Sequence, residues 1–210
     1  MLFYDFEVFK HDWLVVILDM GAQEEHVIIN DPDRLKSFYT AHKGDIWCGF
    51  NNIWYDQYIL KAILLDFDPK EVNDFIIKKR MDGWQYSNLF RQIPLISFDT
   101  MLGTDKGLKS FEGFMGNDIK ESDVPFDIDR KLTAAEIAET VKYCRHDVEQ
   151  TVEVFLKRTD EFDTKMFFIK HFKLPLSDLS RTKAQLAAKD AAPQGEEKPE
   201  EKTEERSEEL

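Results

Sequence analysis

The sequence predicts an α/β fold in which a mixed sheet is flanked by helices, and three observations carry that prediction. Three short β runs open the chain, Leu2 to Phe9, Trp13 to Asp19 and His26 to Asn30, separated by turn-like Lys10-His11-Asp12 and Gly21-Ala22-Gln23. Helical and strand signals then alternate through Met115. A long amphipathic stretch beginning at Thr133 follows.

The opening runs read as an antiparallel meander. Asp31-Pro32 then starts a helix, with Leu35, Phe38 and Tyr39 spaced three and four apart on one stripe. Ile46 to Phe50, bounded by Gly44-Asp45, reads as a buried parallel strand, and Tyr58, Ile59, Ala62 and Ile63 give helical spacing to Tyr55–Leu65. Pro69 to Arg80 is a further helix, Leu95 to Phe98 a strand, and Leu108 to Met115 a short helix closed by Gly116. Ser122 to Arg130 reads as a loop. From Thr133, the residues Ile137, Val141, Cys144, Val148, Val152 and Phe155 define a long helix, with Thr133 and Glu136 as its capping box. Thr164 to Phe172 adds an amphipathic segment, Pro175 interrupts, and Leu179 to Ala188 forms one more helix.

A chain of 210 residues with 42% apolar residues and 17 phenylalanines supports one domain with a real core. That domain is expected over residues 1–185, with 186–210 an acidic tail. From Asp190 onward the tail lacks aromatic residues and offers too little apolar surface to bury, so disorder is expected. Nine acidic and three basic residues from Asp190 to Leu210 carry −6 of the net −13, leaving −7 for the body. An acidic body argues against tight non-specific duplex binding, which rests on phosphate neutralisation by Lys and Arg. Cys48 and Cys144 have no paired or CxxC spacing, which suits a reducing compartment. No basic, then apolar leader opens the chain, and no apolar run reaches the roughly 18 residues of a spanning helix, so a protein neither secreted nor in a membrane is expected.

Three short patches carry the chemistry: Asp5-Phe6-Glu7, Asn51-Asn52-Ile53-Trp54-Tyr55-Asp56 and Tyr143-Cys144-Arg145-His146-Asp147. Residues two apart on a strand share a face, so Asp5 and Glu7 project together, about 6 to 7 Å apart at Cα, while Phe6 points away. Two carboxylates held close among apolar neighbours call for a cation, and Mg²⁺ or Mn²⁺ accept such hard oxygen ligands. A lone D-x-E is common on solvated strands. Asp56 sits at the carboxyl end of a buried strand, where α/β sheets gather their sites, although Asn51 and Asn52 also suit plain helix capping. Tyr143 and Asp147, four apart, share a helix face. His146 points elsewhere on that helix and reads as a surface or second-layer residue. Asp99 reads as a turn residue holding its loop by side-chain to backbone bonds, and Cys144 as a small core residue.

In order and local spacing the three patches resemble the Exo I, Exo II and Exo III motifs of the DnaQ-like (DEDD) 3′→5′ exonuclease superfamily. Lys142 stands where the histidine branch needs its His, and Tyr143-x-x-x-Asp147 resembles the tyrosine, or DEDDy, branch. Ser97-Phe98-Asp99-Thr100 and Leu108-Lys109-Ser110-Phe111-Glu112 are similar to the stretch between Exo II and Exo III in phage-type DNA polymerase exonuclease domains. The resemblance spans about residues 1 to 185 and implies a ribonuclease H-like fold.

It further implies a two-metal 3′→5′ exonuclease acting on single-stranded or frayed DNA 3′ ends and releasing nucleoside 5′-monophosphates. Asp5, Glu7, Asp56 and Asp147 would hold two divalent ions, Mg²⁺ or Mn²⁺, with Tyr143 orienting the attacking water. Phe6, Asn51 and Trp54 would contact the terminal nucleotide. The expected partners are a single-stranded DNA 3′ end and a DNA polymerase subunit, in the cytoplasm of a bacterial or phage-infected cell. The alternatives are RNA 3′ trimming and a catalytically silent exonuclease fold serving as an interaction module of a replication complex. An unrelated acidic α/β protein would instead scatter Asp5, Glu7, Asp56 and Asp147 across the fold.

Overall fold

Strand β1 (Leu2–Val8) runs through the middle of a five-stranded sheet of order β3-β2-β1-β4-β5. The strands β2 (Trp13–Asp19) and β3 (Glu24–Ile29) form the antiparallel meander with it. The strands β4 (Ile46–Gly49) and β5 (Ile96–Asp99) add in parallel on the other side, so the sheet is mixed. These coordinates come from a computed structural model, which describes residues 1–101, 106–117 and 123–190.

Strand alternation divides the apolar residues of β1 between two layers. Leu2, Tyr4, Phe6 and Val8 pack beneath α1 (Pro32–Ala41), α2 (Asp56–Leu64) and α3 (Pro69–Ile77), together with Trp47, Leu35 and Ile59. Phe3 faces the opposite way, into a cluster with Cys48, Phe98, Cys144, Val148 and Ile169. That second face is covered by α5 (Ala134–Lys157) and α6 (Thr159–His171). The short helix α4 (Leu108–Met115) packs on α5. Asp5 and Glu7, in the same alternation as Phe3, therefore project toward α5.

Local chemistry sets most helix ends. Asp31 accepts the Arg34 N–H at 2.9 Å and Pro follows it at the first turn of α1. Thr133 and Glu136 close a reciprocal capping box on α5. Gly116, at φ 78°, ends α4 in the left-handed conformation that glycine adopts without strain.

Several boundaries differ from the expectation. β3 begins at Glu24, because Asp19 Oδ1 accepts the Gly21 and Ala22 N–H groups and the tight turn leads straight into an Asp19–Glu24 pair. The helix expected over Pro69–Arg80 ends at Ile77. α6 starts five residues before Thr164, at Thr159. The helix expected over Leu179–Ala188 divides into a 3₁₀ turn, Leu176–Ser180, and α7 (Lys183–Asp190). Thr182 causes the break: its Oγ1 accepts the Gln185 N–H at 3.2 Å while Gln185 Oε1 accepts the Thr182 N–H at 2.9 Å, a fresh capping box.

Leu186, assigned by sequence to the tail, is fully buried in the second cluster, so the packed chain continues past residue 185. Residues 191–210, where disorder is expected, lie outside the described residues, as does Ser122 at the head of the expected loop. Among the described residues no helix is long and apolar enough to cross a membrane.

Candidate active site

The four carboxylates named by the sequence come together where β1 and β4 part. β4 pairs with β1 only at Leu2 and Phe3. Beyond that point the Phe6 N–H donates instead to Asp56 Oδ1 at 3.1 Å, a buried bond linking residues 50 apart. A carboxylate thus completes a strand edge that no strand covers.

The loop carrying Asp56 is held by a second acid. Asp99, at the end of β5, accepts N–H groups from Asn51 at 2.9 Å, Ile53 at 3.2 Å and Met101 at 2.8 Å. Asn51 adopts φ 63°, a left-handed conformation that Asn tolerates. Gly49 leaves room for the turn: a Cβ there would come within 2.7 Å of Asn52 Cβ. Asn52 is buried and donates to Ser97 Oγ at 3.1 Å, tying the same loop to β5.

Helix α5 supplies the third wall. Asp5, Glu7 and Cys144 place their oxygen and sulfur atoms within 4.8 Å of one another. The Cys144 thiol donates to the Asp5 carbonyl at 3.3 Å and lies 3.6 Å from Asp5 Oδ2. Asp147, one turn along, accepts from Lys109 Nζ of α4 at 2.7 Å. Lys109 also lies over the Tyr143 ring, 4.8 Å from its centroid.

Burial dominates the electrostatics. It lifts the Asp5 carboxyl well above the carboxylate range, and the Asp56, Glu7 and Asp147 charges add to the lift. Glu7 is raised by burial and then by Asp147 and Asp56, with Lys109 offsetting part. Burial pushes Asp56 up to about 7 despite its bond from the Phe6 amide. Asp147 is raised less, because Lys109 holds its charged form. Each of the four stands in a neighbourhood of concentrated negative charge. Tyr143 is raised by burial and by Asp147 and Glu7, so its phenol stays protonated at neutral pH.

The donors fit hard divalent cations. Glu7 is 6% exposed and its carboxylate has no hydrogen bond or ion pair among the described residues, and the neighbouring donors are carboxylate oxygens with the Cys144 sulfur beside them. Asp5, Glu7, Asp56 and Asp147 are the residues able to hold such ions.

The expected substrate contacts divide. Phe6 is nearly buried, edge-on to Tyr4 and tilted against Trp13, yet it also lines a cleft of about 540 Å³ with Glu7, Tyr55, Lys70 and Phe126. Trp54 does not line that cleft; it is 52% exposed on a separate groove with Arg91 and Arg181. Asn51 serves the loop through its backbone bond to Asp99. His146 is not a surface residue: it is 9% exposed and turned toward Glu112 of α4. Lys109, Glu112 and Cys144 enter the site without having been assigned there. Cys144 was detectable, since it lies three residues before Asp147 and shares its side of the helix. The placement of Lys109 and Glu112 depends on how α4 docks, which no local pattern encodes.

Comparison with protein-family models, with curated proteins and with solved structures finds no match to this chain.

Proposed function

We propose that this chain is a metal-dependent 3′→5′ exonuclease of the DnaQ-like DEDDy type, acting on single-stranded or frayed DNA 3′ ends. One observation carries the reading: Asp5 and Glu7 of β1, Asp56 at the start of α2 and Asp147 of α5 share one buried neighbourhood. Four acids from three distant segments would have no reason to meet in an unrelated acidic protein, since their mutual repulsion opposes folding. The sheet order, with a meander extended by two parallel strands, supports a ribonuclease H-like fold as the frame.

Two Mg²⁺ or Mn²⁺ ions held by these carboxylates would neutralise charge on the phosphoryl group and activate water. Tyr143, protonated and beside Asp147, positions that water as a hydrogen-bond partner rather than accepting its proton. The cleft beside Glu7 takes the strand end, with Tyr55 and Phe126 offering ring faces to bases and Lys10 and Lys70 facing phosphates. Lys109 holds Asp147 in place while no divalent ion is bound. A DNA polymerase subunit is the partner protein this activity would serve.

The test is hydrolysis of end-labelled single strands, DNA and RNA side by side, with Mg²⁺ or Mn²⁺, comparing the intact chain with Asp5→Ala. Stepwise shortening from the 3′ end that disappears with EDTA or Asp5→Ala supports the reading, and the preferred polymer names the substrate. A folded protein that cleaves neither polymer would refute it and favour the silent interaction module.

A further inference from the structure

Where α4 packs on α5, two buried polar atoms face each other without bonding. Glu112 Oε2 and His146 Nε2 are 3.8 Å apart, beyond hydrogen-bond reach. Among the described residues neither atom has a hydrogen-bond partner, and both are sealed from solvent. Glu112 is 0% exposed and His146 9%. Polar atoms buried and unpaired cost free energy, so a pair of them in one place asks for a third party.

The spacing says what kind. Metal–nitrogen and metal–oxygen bonds of about 2.0 to 2.2 Å let one ion touch both atoms across this gap. Asp147 supplies a third donor: its carboxylate, Glu112 Oε2 and His146 Nε2 form a group whose ligand atoms lie within 4.8 Å of one another. Lys109 engages the other oxygen of Glu112, Oε1, at 3.2 Å, and so leaves Oε2 turned to the imidazole. With a third of its side chain exposed, Lys109 is free to swing toward solvent if its hold on Asp147 is taken over.

We propose that Glu112, His146 and Asp147 form a binding site for a divalent ion of the Zn²⁺ class, which adjoins the oxygen cluster of Asp5, Glu7 and Asp56 and shares Asp147 with it. The imidazole sets the class. Nitrogen with carboxylate oxygen suits Zn²⁺ or Co²⁺, whereas Mg²⁺ favours oxygen and water throughout. An ion there clamps α4 to α5 and fixes the orientation of Asp147 from behind. Although Asp147 belongs to both groups, the site does not depend on the exonuclease reading, because its unpaired atoms are those of Glu112 and His146 and none of its evidence comes from Asp5, Glu7 or Asp56.

The experiment uses the full chain carrying Asp5→Asn and Glu7→Gln, which removes charge from the oxygen cluster and keeps its shape. After chelator treatment it is titrated with Co²⁺ and followed by visible absorption and equilibrium dialysis. The expected result is one bound equivalent with the absorption bands of a nitrogen–oxygen site, displaced by equimolar Zn²⁺ and not by millimolar Mg²⁺. Adding His146→Gln or, independently, Glu112→Gln should weaken binding by at least about tenfold, with unchanged metal-free circular dichroism. Absence of Co²⁺ bands in the parent double variant overturns the proposal without any further variant. Equal affinity after His146→Gln also overturns it and leaves a plain histidine–glutamate contact. Because no turnover is measured, loss of the exonuclease reading would leave this result standing, and the reverse.

Discussion

Lys109 Nζ lies 2.7 Å from Asp147 Oδ1, a contact between the first turn of α4 and the middle of α5 across 38 residues. Burial disfavours the ammonium, but Asp147 and Glu112 outweigh that and raise its pKa. Lys109 therefore acts as a resident counter-ion for acids that would otherwise repel one another. Replacing it with Met should lower the stability of the metal-free protein by about 1–2 kcal/mol, reduced from the full value of charge-assisted bonds because the ammonium is partly exposed. Urea unfolding in EDTA reads the loss, and added Mg²⁺ should recover part of it. No loss in EDTA would show that the pair contributes nothing.

The raised carboxyls give a pH dependence of definite sign. Asp56, pushed up to about 7, binds its proton more tightly folded than unfolded, where the value is about 3.9. Its contribution is complete below about pH 4 and is lost as pH rises through about 7. Asp5 and Glu7, raised in the same direction, add to it. Asp74, held at about 2 by Lys78 and Lys70 against the cost of burial, stays ionised between pH 5 and 8 and adds no slope. In EDTA, Tm should therefore fall from pH 5 to pH 8 by at least about 2–4 °C, the shift about 1 kcal/mol produces at this size. Mg²⁺ should flatten the curve. A Tm that rises over this range would contradict the assignment.

Asp99→Ala removes the acceptor of three backbone N–H groups around the Asn51–Ile53 loop. Leaving those groups unpaired should cost about 2–4 kcal/mol. The loop positions Asp56, so divalent-ion affinity, followed by calorimetry on folded protein, should fall as well. Unchanged affinity would show that Asp56 holds its place without the loop.

Leu186→Ala should destabilise the chain by about 2–4 kcal/mol, since the residue is fully buried in the second cluster. Ending the chain after Asp190 should leave unfolding by denaturant unchanged, while ending it after Gln185 should not. Equal stability of the two truncations would contradict the packing of α7.

Under the proposed exonuclease reading, in which the phenol orients water and holds no ion, Tyr143→Phe should slow hydrolysis by about ten- to hundredfold and leave divalent-ion affinity intact. Loss of ion binding in this variant would instead make Tyr143 part of the cation site.

The sequence was legible where a local rule had one outcome. The alternation in β1 put Asp5 and Glu7 on one face, and the Thr133–Glu136 capping box marked the start of α5. The four-residue step from Tyr143 to Asp147 put both on one helix face, and the packing of α5 on the sheet brings that face to the strand acids. The segment from Leu179 to Ala188 was misread because helical spacing continued through a stretch that Thr182 recaps. The surroundings of Trp54 and His146 were not legible: the groove under Trp54 and the burial of His146 against Glu112 follow from how the loop after β4 and the helix α4 dock. Docking is a long-range outcome with no signature at either residue.

The unequal anchoring of the site's walls has a mechanical consequence. All seven residues of β1 are paired with β2, so the backbone beneath Asp5 and Glu7 opens only when the sheet opens. Asp147 is steadied by a long, swinging lysine from an eight-residue helix. One side of the site behaves as an anvil and the other as an adjustable jaw. For the proposed divalent-ion site, tolerance to ions of different radius would then reside in α4, and selection for a new metal preference would act on Lys109 and its neighbours before it could act on β1.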